Sequence, residues 1–563
     1  MSAKTKSERL RRLVSHGFFA PELPPCFVSE DLAKYRRSIL NAIKNLPEIK
    51  GQHAYQRFIS ESTWFYFPRY GRDDRKHGIL NPISYLLIAN VIADNYINLR
   101  AVAKKSGLSA SPPIFDWSGP RALMRPSVDL RDDFRVDLSS RCEEFVSADI
   151  RAFFHSIYTH SIPWAIYGKG WAKRNRSLNH YGNLIDLLCR NAQDGQTIGL
   201  PVGPDTSRLI AEVVASSIDV TLRNRLHINA QVASRYVDDY TIGSNGQLTG
   251  DILLAALRQA TAFYELELNN DKSAIYSTSI RQNTGWKQAV LAHVPRTSYS
   301  YPTFQRFFYE VGRVCDEHPE INVEKYAFQN ARKALMEVDE WSKIQSIIIN
   351  AYRRNTTLVS FVVEVLILRQ SERGDVDRNH LKEFLQRRLP ALAGENRTGE
   401  IIWLIFLAIR LKIILPATCV ERLFELENSA VALLVAYAKS SELVSGEVNF
   451  NIWNQSLTDE GLKSPMWLFA YESVLKRINP NSATTFIQNN QFFSLLLEKK
   501  VSFLSVKSGF TSIESALRSR RDDNNRMKRL RDDYLNDFGF EVDEFDDDID
   551  EDKDEFEDDF FDY

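Results

Sequence analysis

Two adjacent aspartates lie between two short apolar runs in residues 234–243, which read Ser-Arg-Tyr-Val-Asp-Asp-Tyr-Thr-Ile-Gly. Two β-type runs separated by so short a polar stretch predict a hairpin with Asp238 and Asp239 at its tip. Carboxylates held this close repel each other, so folding alone gives little reason to place them there. An isolated Asp-Asp pair is most often a solvated turn. The alternative is a site where the two carboxylates bind a cation such as Mg²⁺, which prefers oxygen ligands.

A second segment upstream strengthens the cation hypothesis. Residues 145–157 read Phe-Val-Ser-Ala-Asp-Ile-Arg-Ala-Phe-Phe-His-Ser-Ile, a predicted strand that ends in Asp149 and leads into a helical run. Asp149 is therefore expected to complete a cluster of three carboxylates. Three carboxylates that hold two metal ions can activate a hydroxyl and stabilise a pentavalent phosphate, which is the two-metal route to nucleotidyl transfer.

A loop rich in glycine and proline lies between these two segments. Residues 196–212 read Gln-Thr-Ile-Gly-Leu-Pro-Val-Gly-Pro-Asp-Thr-Ser-Arg-Leu-Ile-Ala-Glu and run into a predicted helix. Glycines let a backbone approach a ligand closely, and a helix start after them suits a nucleotide or a template strand.

The order and spacing of these motifs resemble the reverse transcriptase family. Asp149 with Phe153 and Phe154 is similar to its first catalytic motif, and residues 199–204 with Ser207 are similar to its second. Residues 236–239 are similar to the third motif, and residues 269–272 follow as the fourth after a predicted helix over 249–264. Residues 155–168 and 203–212 resemble, more narrowly, the defence-associated abortive-infection (AbiK-like) branch of bacterial reverse transcriptases.

The resemblance implies a set of site residues. Asp149 and Asp238 bridge two Mg²⁺ ions, with Mn²⁺ as the alternative, while Asp239 assists and the Ile150 carbonyl completes a coordination shell. The nucleotide-binding residues that it implies are Ile150, Phe153, Phe154, Gly203, Ser207 and Lys272.

Phe154 and Lys272 have the most specific implied roles. Phe154 stands where the family places an aromatic ring that excludes a ribose 2′-hydroxyl, which favours dNTPs, although Phe153 and Phe154 are also an ordinary core pair. Lys272 is placed as a proton donor to the departing pyrophosphate, with a solvated surface lysine as the alternative. Val202 departs from the family, because many members carry glutamine there, so discrimination between nucleotides is expected to be looser.

A triphosphate also needs cations opposite the carboxylates. Arginine forks suit phosphates, and six candidates precede the first motif: Arg69, Arg72, Arg75, Lys76, Arg121 and Arg125. A surface role remains the alternative for most of them. Arg235, directly before the hairpin tip, is expected to pair with a nearby carboxylate instead.

Charge is divided unevenly along the chain. The formal net charge of the 563 residues is −2, but residues 541–563 hold fifteen Asp/Glu and one Lys, so the remaining 540 residues carry about +12. A basic body suits a protein that binds polyanions, and the acidic tail is expected to be disordered. Five scattered cysteines without a CxxC pair indicate reduced thiols in a cytosolic protein and no structural zinc, and the resemblance implies that this is the bacterial cytoplasm. The apolar run 401–409 is too short to span a bilayer and predicts a buried helix, so no membrane partner is expected.

The predicted fold class is α/β followed by all-α. Residues 1–60 are assigned to a helical lead-in and residues 61–295 to the fingers and palm of a right-hand polymerase core. Apolar runs at helical spacing assign residues 296–520 to an α-helical domain, either a repeat array of HEAT-like type or a single compact domain. Residues 521–563 form the charged linker and acidic tail, with a polyanion mimic or partner-recruiting element as the alternative to a solubility role.

The resemblance also implies an activity. Abortive-infection reverse transcriptases are homo-oligomers that make DNA from dNTPs without a nucleic-acid template, in antiphage defence, and attach the product to a tyrosine of the protein. No motif selects that tyrosine among the 22 in this chain, and Tyr352 and Tyr437 are more simply packed aromatics.

Three alternatives stay open. The chain could be a retroelement reverse transcriptase that copies an RNA template or uses a noncoding RNA, or a catalytically silent nucleic-acid-binding scaffold. A toxin nuclease is the least favoured, because its only mark is the Arg-x4-His pattern of Arg313 and His318, which a chain of this length yields by chance.

Overall fold

The computed structural model describes residues 4–49, 51–124, 129–244, 246–278, 285–479, 483–518 and Arg526. The acidic tail predicted over 541–563 therefore lies outside the described residues. Within them, helices predominate, and one continuous cluster of buried apolar side chains runs from Leu10 to Ile513.

A four-stranded antiparallel sheet, the central sheet, forms the centre of the first half. Its strands occur in the spatial order β4-β5-β3-β6. Their bounds are β3 Glu144–Asp149, β4 Ala233–Tyr236, β5 Asp239–Ser244 and β6 Ala274–Ser277. The inner strands β3 and β5 are apolar where they face the core, with Val146, Ala148, Tyr240 and Ile242 buried. The alternation that predicted a hairpin at 234–243 is confirmed, with a refinement, because Asp238 lies in the turn and Asp239 begins β5.

A separate two-stranded sheet, the first hairpin, precedes the central sheet. Its strands are β1 Thr63–Arg69 and β2 Arg72–Ile79, which pair in antiparallel register. The β2 strand alternates poorly and carries five charged residues at 72–76, so the tip of this hairpin extends away from the core.

Eleven helices lie in the part of the first half of the chain that the structure describes. The long helices α3 and α9 pack against each other, and α1 and α8 pack on α3. Their bounds are α1 Lys6–His16, α2 Glu30–Lys44, α3 Pro82–Lys104, α4 Asp129–Ser139, α5 Phe153–Ser156, α6 Ser161–Tyr167, α7 Lys169–Arg174, α8 Tyr181–Asn191, α9 Asp205–Leu226, α10 Gly250–Phe263 and α11 Gly285–Leu291. Helix α10 matches the helix predicted over 249–264, and residues 270–272 form a single 3₁₀ turn after it.

The second half of the described chain is almost entirely helical, and we call residues 301–498 the helical half. A pair of two-residue strands, β7 Leu415–Pro416 and β8 Val444–Ser445, is its only sheet among the described residues. Its helices are α12 Tyr301–Glu317, α13 Val323–Asn330, α14 Arg332–Glu337, α15 Trp341–Arg354, α16 Val359–Glu372, α17 Arg378–Gly394, α18 Thr398–Leu411, α19 Ser429–Ser440, α20 Asn451–Asn454, α21 Trp467–Leu475, α22 Thr485–Asn489 and α23 Phe493–Glu498.

The apolar run 401–409 lies in α18, and every side chain of that run is buried, which confirms the predicted buried helix. Helices that are apolar on all sides need neighbours, and α16, α17 and α19 surround α18. None of the helices in the described ranges combines the length and the apolarity needed to cross a membrane. The five cysteines form no disulfide.

The two halves of the chain are joined by hydrogen bonds at the first hairpin. Tyr66 donates its backbone N–H to Thr398 Oγ1 at 3.0 Å, and Asn428 Nδ2 donates to the Trp64 carbonyl at 2.7 Å. The helical half therefore holds the first hairpin in place beside the central sheet.

Candidate active site

Strand pairing brings the three predicted carboxylates to one end of the central sheet. Asp149 ends β3 and lies directly opposite Asp239, the first residue of β5. Asp238 precedes it in the turn, and its backbone carbonyl accepts a hydrogen bond from the Ile150 N–H at 3.2 Å. Because paired residues of an antiparallel ladder lie about 5 Å apart, these positions form one carboxylate cluster.

Burial and mutual repulsion disfavour the ionised form of this carboxylate cluster unless positive charge lies beside it. Burial, followed by the charges of Asp239 and Asp149, raises the pKa of Asp238 from 3.8 to about 7. Burial also raises the pKa of Asp239, against the opposing effect of the Arg131 guanidinium. Divalent cations supply the missing charge in sites of this kind.

Two side chains of the protein bond to the outer carboxylates of the cluster. Lys272 Nζ lies 2.5 Å from Asp149 Oδ2, and Arg131 donates to Asp239 Oδ2 at 3.4 Å. Sequence reasoning identified Lys272 but missed Arg131, which lies in α4 within a run of alternating charges that looks like a solvated helix.

The donor set suits Mg²⁺ or Mn²⁺, since it consists of hard carboxylate oxygens in a cleft open to solvent. Within the described residues, no three His, Cys, Asp or Glu side chains are spaced to hold a metal ion as they stand. Lys272 bonds to an oxygen of Asp149 and Arg131 to an oxygen of Asp239, so these oxygens face side-chain cations in this structure. A divalent ion would take over those oxygens.

The residues after Asp149 form the floor of the site. Ile150 is fully buried. Phe153 is also buried, whereas Phe154 is half-buried, and the two ring centroids are 5.6 Å apart. Both rings line the same cleft as the aspartates, but only Phe154 keeps an exposed portion that a sugar could contact.

The glycine-rich loop lies beside this floor. Leu200 donates its N–H to the Phe154 carbonyl at 2.6 Å, and Gly78 of β2 donates to the Val202 carbonyl at 3.0 Å. Gly203 has a φ of +122°, and a Cβ there would lie 2.6 Å from that of Ala20, so glycine is required by both conformation and space. Val202 and Gly203 line the cleft, but Ser207 is buried in the first turn of α9 and does not.

The carboxylate cluster, the floor of the site and residues 202–203 of the loop line one large cleft of about 3290 Å³. The first hairpin, the central sheet, residues 286–303 and helices α13 and α14 all contribute residues to its lining. Fourteen Lys/Arg and eleven Asp/Glu of the described chain line it, so its walls are basic although its catalytic end is acidic. A cleft of this size and charge can hold a nucleotide together with a polynucleotide strand.

The predicted phosphate-binding cations are divided by the structure. Arg69, Arg72, Arg75 and Lys76 of the first hairpin line the cleft. Arg121 does not, because it pairs with the buried Asp205 at 2.7 Å and donates to the Gly203 carbonyl. It supports the glycine-rich loop from behind, and Arg125 lies outside the described residues.

The helical half and the segment just before it supply cations that the sequence patterns missed. Arg296, Arg306 and Lys333 are exposed, line the cleft and make no ion pair with any described residue. We call them the wall cations. They are scattered along the chain without a motif, so only the folded arrangement gathers them.

Arg235 pairs with carboxylates, as predicted. Its guanidinium is fully buried and contacts Glu212 and Asp219, each at 2.7 Å.

The nuclease pattern finds no support in the geometry. Arg313 is exposed and paired with Glu310 and Glu317 on its own helix, while His318 follows that helix beside Glu320. Of the two tyrosines considered for priming, Tyr352 is buried with its hydroxyl on Glu400, and Tyr437 is half-buried.

Comparison with known proteins gives one family match. Residues 121–288 match the family described as reverse transcriptase (RNA-dependent DNA polymerase), and this stretch contains all three aspartates and the glycine-rich loop. Comparison with curated protein sequences finds no match.

Two solved structures show weak similarity. Apo telomerase from Candida tropicalis is 12% identical over 76% of this chain and 74% of its own, with a TM-score of 0.31. Telomerase from Candida albicans in complex with a fragment of telomeric RNA is 12% identical over 61% of this chain and 65% of its own, with a TM-score of 0.27. Similarity at this level supports no inference about fold or function.

The family match coincides with the stretch that holds the carboxylate cluster and its loop. This chain therefore contains a reverse transcriptase domain of mixed α/β structure, and it is an enzyme of the nucleotidyltransferase class, of the RNA-directed DNA polymerase type.

Proposed function

We propose that the chain polymerises dNTPs into DNA by two-metal nucleotidyl transfer. The register that sets Asp149 opposite Asp239, with Asp238 in the adjoining turn, is the observation that carries this proposal. It places three hard-oxygen donors at the acidic end of a basic cleft, where a triphosphate and a growing strand can both be bound.

Each residue of the site has a role in this mechanism. Asp149, Asp238 and Asp239 would hold the divalent ions together with the Ile150 carbonyl, and such ions would supply activation of the attacking hydroxyl and neutralisation of the phosphates. Arg69, Arg72, Arg75 and Lys76 bind the triphosphate from the first hairpin. Phe154 contacts the sugar beside the glycine-rich loop, and Ser207 supports that loop from within α9.

Lys272 changes partner in this mechanism. It lies on Asp149 at 2.5 Å before substrate binds. With a cation bound at Asp149, the Lys272 ammonium would be released from that carboxylate and could donate a proton to the departing pyrophosphate.

We further propose the finer assignment that the motif resemblance implies. The enzyme acts in antiphage defence in the bacterial cytoplasm, as a homo-oligomer, and starts synthesis from one of its own tyrosine hydroxyls without a template. Among the described residues, four tyrosines line the cleft: Tyr70, Tyr236, Tyr299 and Tyr326. Residues 296–520 are assigned, in the same proposal, to the α-repeat domain of that branch.

Incubation of the purified protein with Mg²⁺ and labelled dNTPs, with and without RNA, tests this proposal. Label that becomes covalently attached to the protein without added template supports protein-primed, untemplated synthesis. The matched control is the Asp238→Ala, Asp239→Ala double variant, which should incorporate no label. Antiphage protection that survives in this variant would favour a silent nucleic-acid-binding scaffold instead.

A templated reverse transcriptase of a retroelement is the second candidate. The description of the matching family as an RNA-dependent DNA polymerase favours it. Synthesis that depends strictly on added RNA, with no label on the protein, would select this function over the first.

A further inference from the structure

The turn that carries Asp238 has a strained backbone. Val237 has a φ of +57°, a left-handed conformation that β-branched residues rarely adopt. Such a conformation persists only where surrounding contacts determine it. Two hydrogen bonds fix this residue: its N–H donates to Ser111 Oγ at 2.9 Å, and its carbonyl accepts from Arg235 Nη1 at 2.7 Å.

Arg235 is itself held rigidly. Its Nη2 donates to Glu212 Oε1 and Asp219 Oδ2, both at 2.7 Å, and its Nη1 donates to Glu212 Oε2 at 3.0 Å. A planar guanidinium with two carboxylates on its fork has one orientation left, and here that orientation directs Nη1 at the Val237 carbonyl.

Both carboxylates are fixed by further side chains. Tyr240 and Ser106 donate their hydroxyls to Asp219 at 2.7 and 2.5 Å, and Ser109 donates to Glu212 at 2.6 Å. Glu212 and Asp219 belong to α9, so the network connects the turn to a long core helix. None of these groups other than the turn lines the cleft, and the cost of burying the Arg235 charge is offset by its pairing with Glu212 and Asp219.

We propose that Arg235 is a positioning residue for nucleotidyl transfer, which together with Ser111 holds the Val237 turn so that Asp238 and Asp239 face Asp149. This inference rests on the proposed function. Metal ligands depend on the groups that orient them, and a displacement of about 1 Å can cost roughly 100-fold in rate. Arg235 acts on the chemistry only through the backbone of the turn, because no atom of it reaches the cleft.

Two substitutions test the inference. Ser111→Ala removes a neutral hydrogen bond to the turn, and Arg235→Lys keeps the charge but loses the fork that reaches both carboxylates and the carbonyl. The chain offers a matched control for each. Ser29 is a buried serine that donates to the Val14 carbonyl at 2.7 Å. Arg369 is a buried arginine that bonds to Asp375 and donates to the Met336 carbonyl at 2.8 Å, outside the cleft.

Three quantities are measured for all four variants: kcat and KM for dNTP in DNA synthesis, and the affinity for Mn²⁺ alone by electron paramagnetic resonance. We expect Ser111→Ala and Arg235→Lys to lower kcat about 10- to 100-fold and to weaken Mn²⁺ binding several-fold. We expect KM for dNTP to stay within about twofold. Ser29→Ala and Arg369→Lys should leave all three quantities at wild-type values.

The inference is overturned if the folded test variants keep wild-type kcat and Mn²⁺ affinity, or if the controls lose as much as they do. Should Arg235→Lys fail to fold by circular dichroism, Ser111→Ala decides alone. A wild-type protein that makes no DNA refutes the proposed function, while the Mn²⁺ affinities still decide whether Arg235 and Ser111 position the aspartates.

Discussion

Asp238 carries opposite consequences for activity and for stability. Its pKa is raised from 3.8 to about 7, so its ionised form is unfavourable in the fold. The stability that its protonated form contributes is complete below about pH 4 and is lost as the pH rises through about 7. Function therefore places here a charge that folding alone disfavours.

We expect Asp238→Asn to abolish nucleotide incorporation, by at least about 1000-fold, because it removes a metal ligand. In EDTA the same variant should be more stable than the wild type, since it removes a repelled charge, and its advantage should grow from pH 5 to pH 8. Thermal unfolding at both pH values measures this. Asp271→Asn, at an exposed carboxylate of the same cleft, is the control, and an equal gain from it would contradict the explanation.

Phe154 and Phe153 offer a second comparison at the scale of single residues. Replacing Phe154 by alanine should reduce the preference for dNTP over rNTP about 10- to 100-fold, because the exposed part of the ring no longer meets the 2′-hydroxyl. The same change at the buried Phe153 should cost about 3–5 kcal/mol of stability and leave the preference unchanged. The ratio of kcat/KM for the two nucleotides is the measurement, and it does not depend on the fraction of folded enzyme. A larger loss of preference on replacing Phe153 would mean that Phe153, and not Phe154, is the ring that excludes the 2′-hydroxyl.

At the scale of elements, the glycine-rich loop has no room for an added side chain at Gly203. Gly203→Ala should destabilise the protein by roughly 1–3 kcal/mol and slow DNA synthesis, because its φ of +122° and the nearby Ala20 both oppose a Cβ. Gly170→Ala is the matched control, since it lies in α7 with no heavy atom within 4 Å of the added Cβ. Denaturant unfolding should show Gly170→Ala to be neutral or up to about 1 kcal/mol more stable. Equal stability of the two variants would refute this account of the loop.

The elements also show what a sequence can predict here. The β4-β5 hairpin, α10 and the buried α18 follow from local alternation or helical spacing, and all three were predicted. The register of Asp149 with Asp239 depends on two strands about 90 residues apart, so only the motif resemblance suggested it. The bonds of Arg131 to Asp239 and the burial of Ser207 depend on how α4 and α9 pack, which leaves no local signal.

At the scale of the whole molecule, the first hairpin and the helical half both contribute residues to the lining of one cleft. Thr398 and Asn428 hold the first hairpin by hydrogen bonds, and the wall cations line the same cleft as the carboxylate cluster. A strand that leaves the active site therefore meets cations without ion-pair partners among the described residues. Such cations bind phosphates with release of counterions, and that release makes the affinity depend on salt.

Replacing Arg296, Arg306 and Lys333 together by alanine should weaken the binding of a single-stranded oligonucleotide. The slope of log affinity against log salt concentration should fall by about 2, since each lost phosphate contact on a single strand contributes roughly 0.7. Titration of a labelled oligonucleotide by fluorescence anisotropy at several salt concentrations gives this slope.

A second triple variant distinguishes binding at the wall cations from a general effect of lost positive charge. Lys173, Arg174 and Arg176 are exposed, make no ion pair within the described residues and lie outside the cleft. Their replacement by alanine changes the net charge by the same amount, so the slope should stay near that of the wild type if binding takes place in the cleft. Equal slopes for the two triple variants would mean that the polynucleotide binds by diffuse attraction to the basic body. The cleft would then have no specific part in binding it.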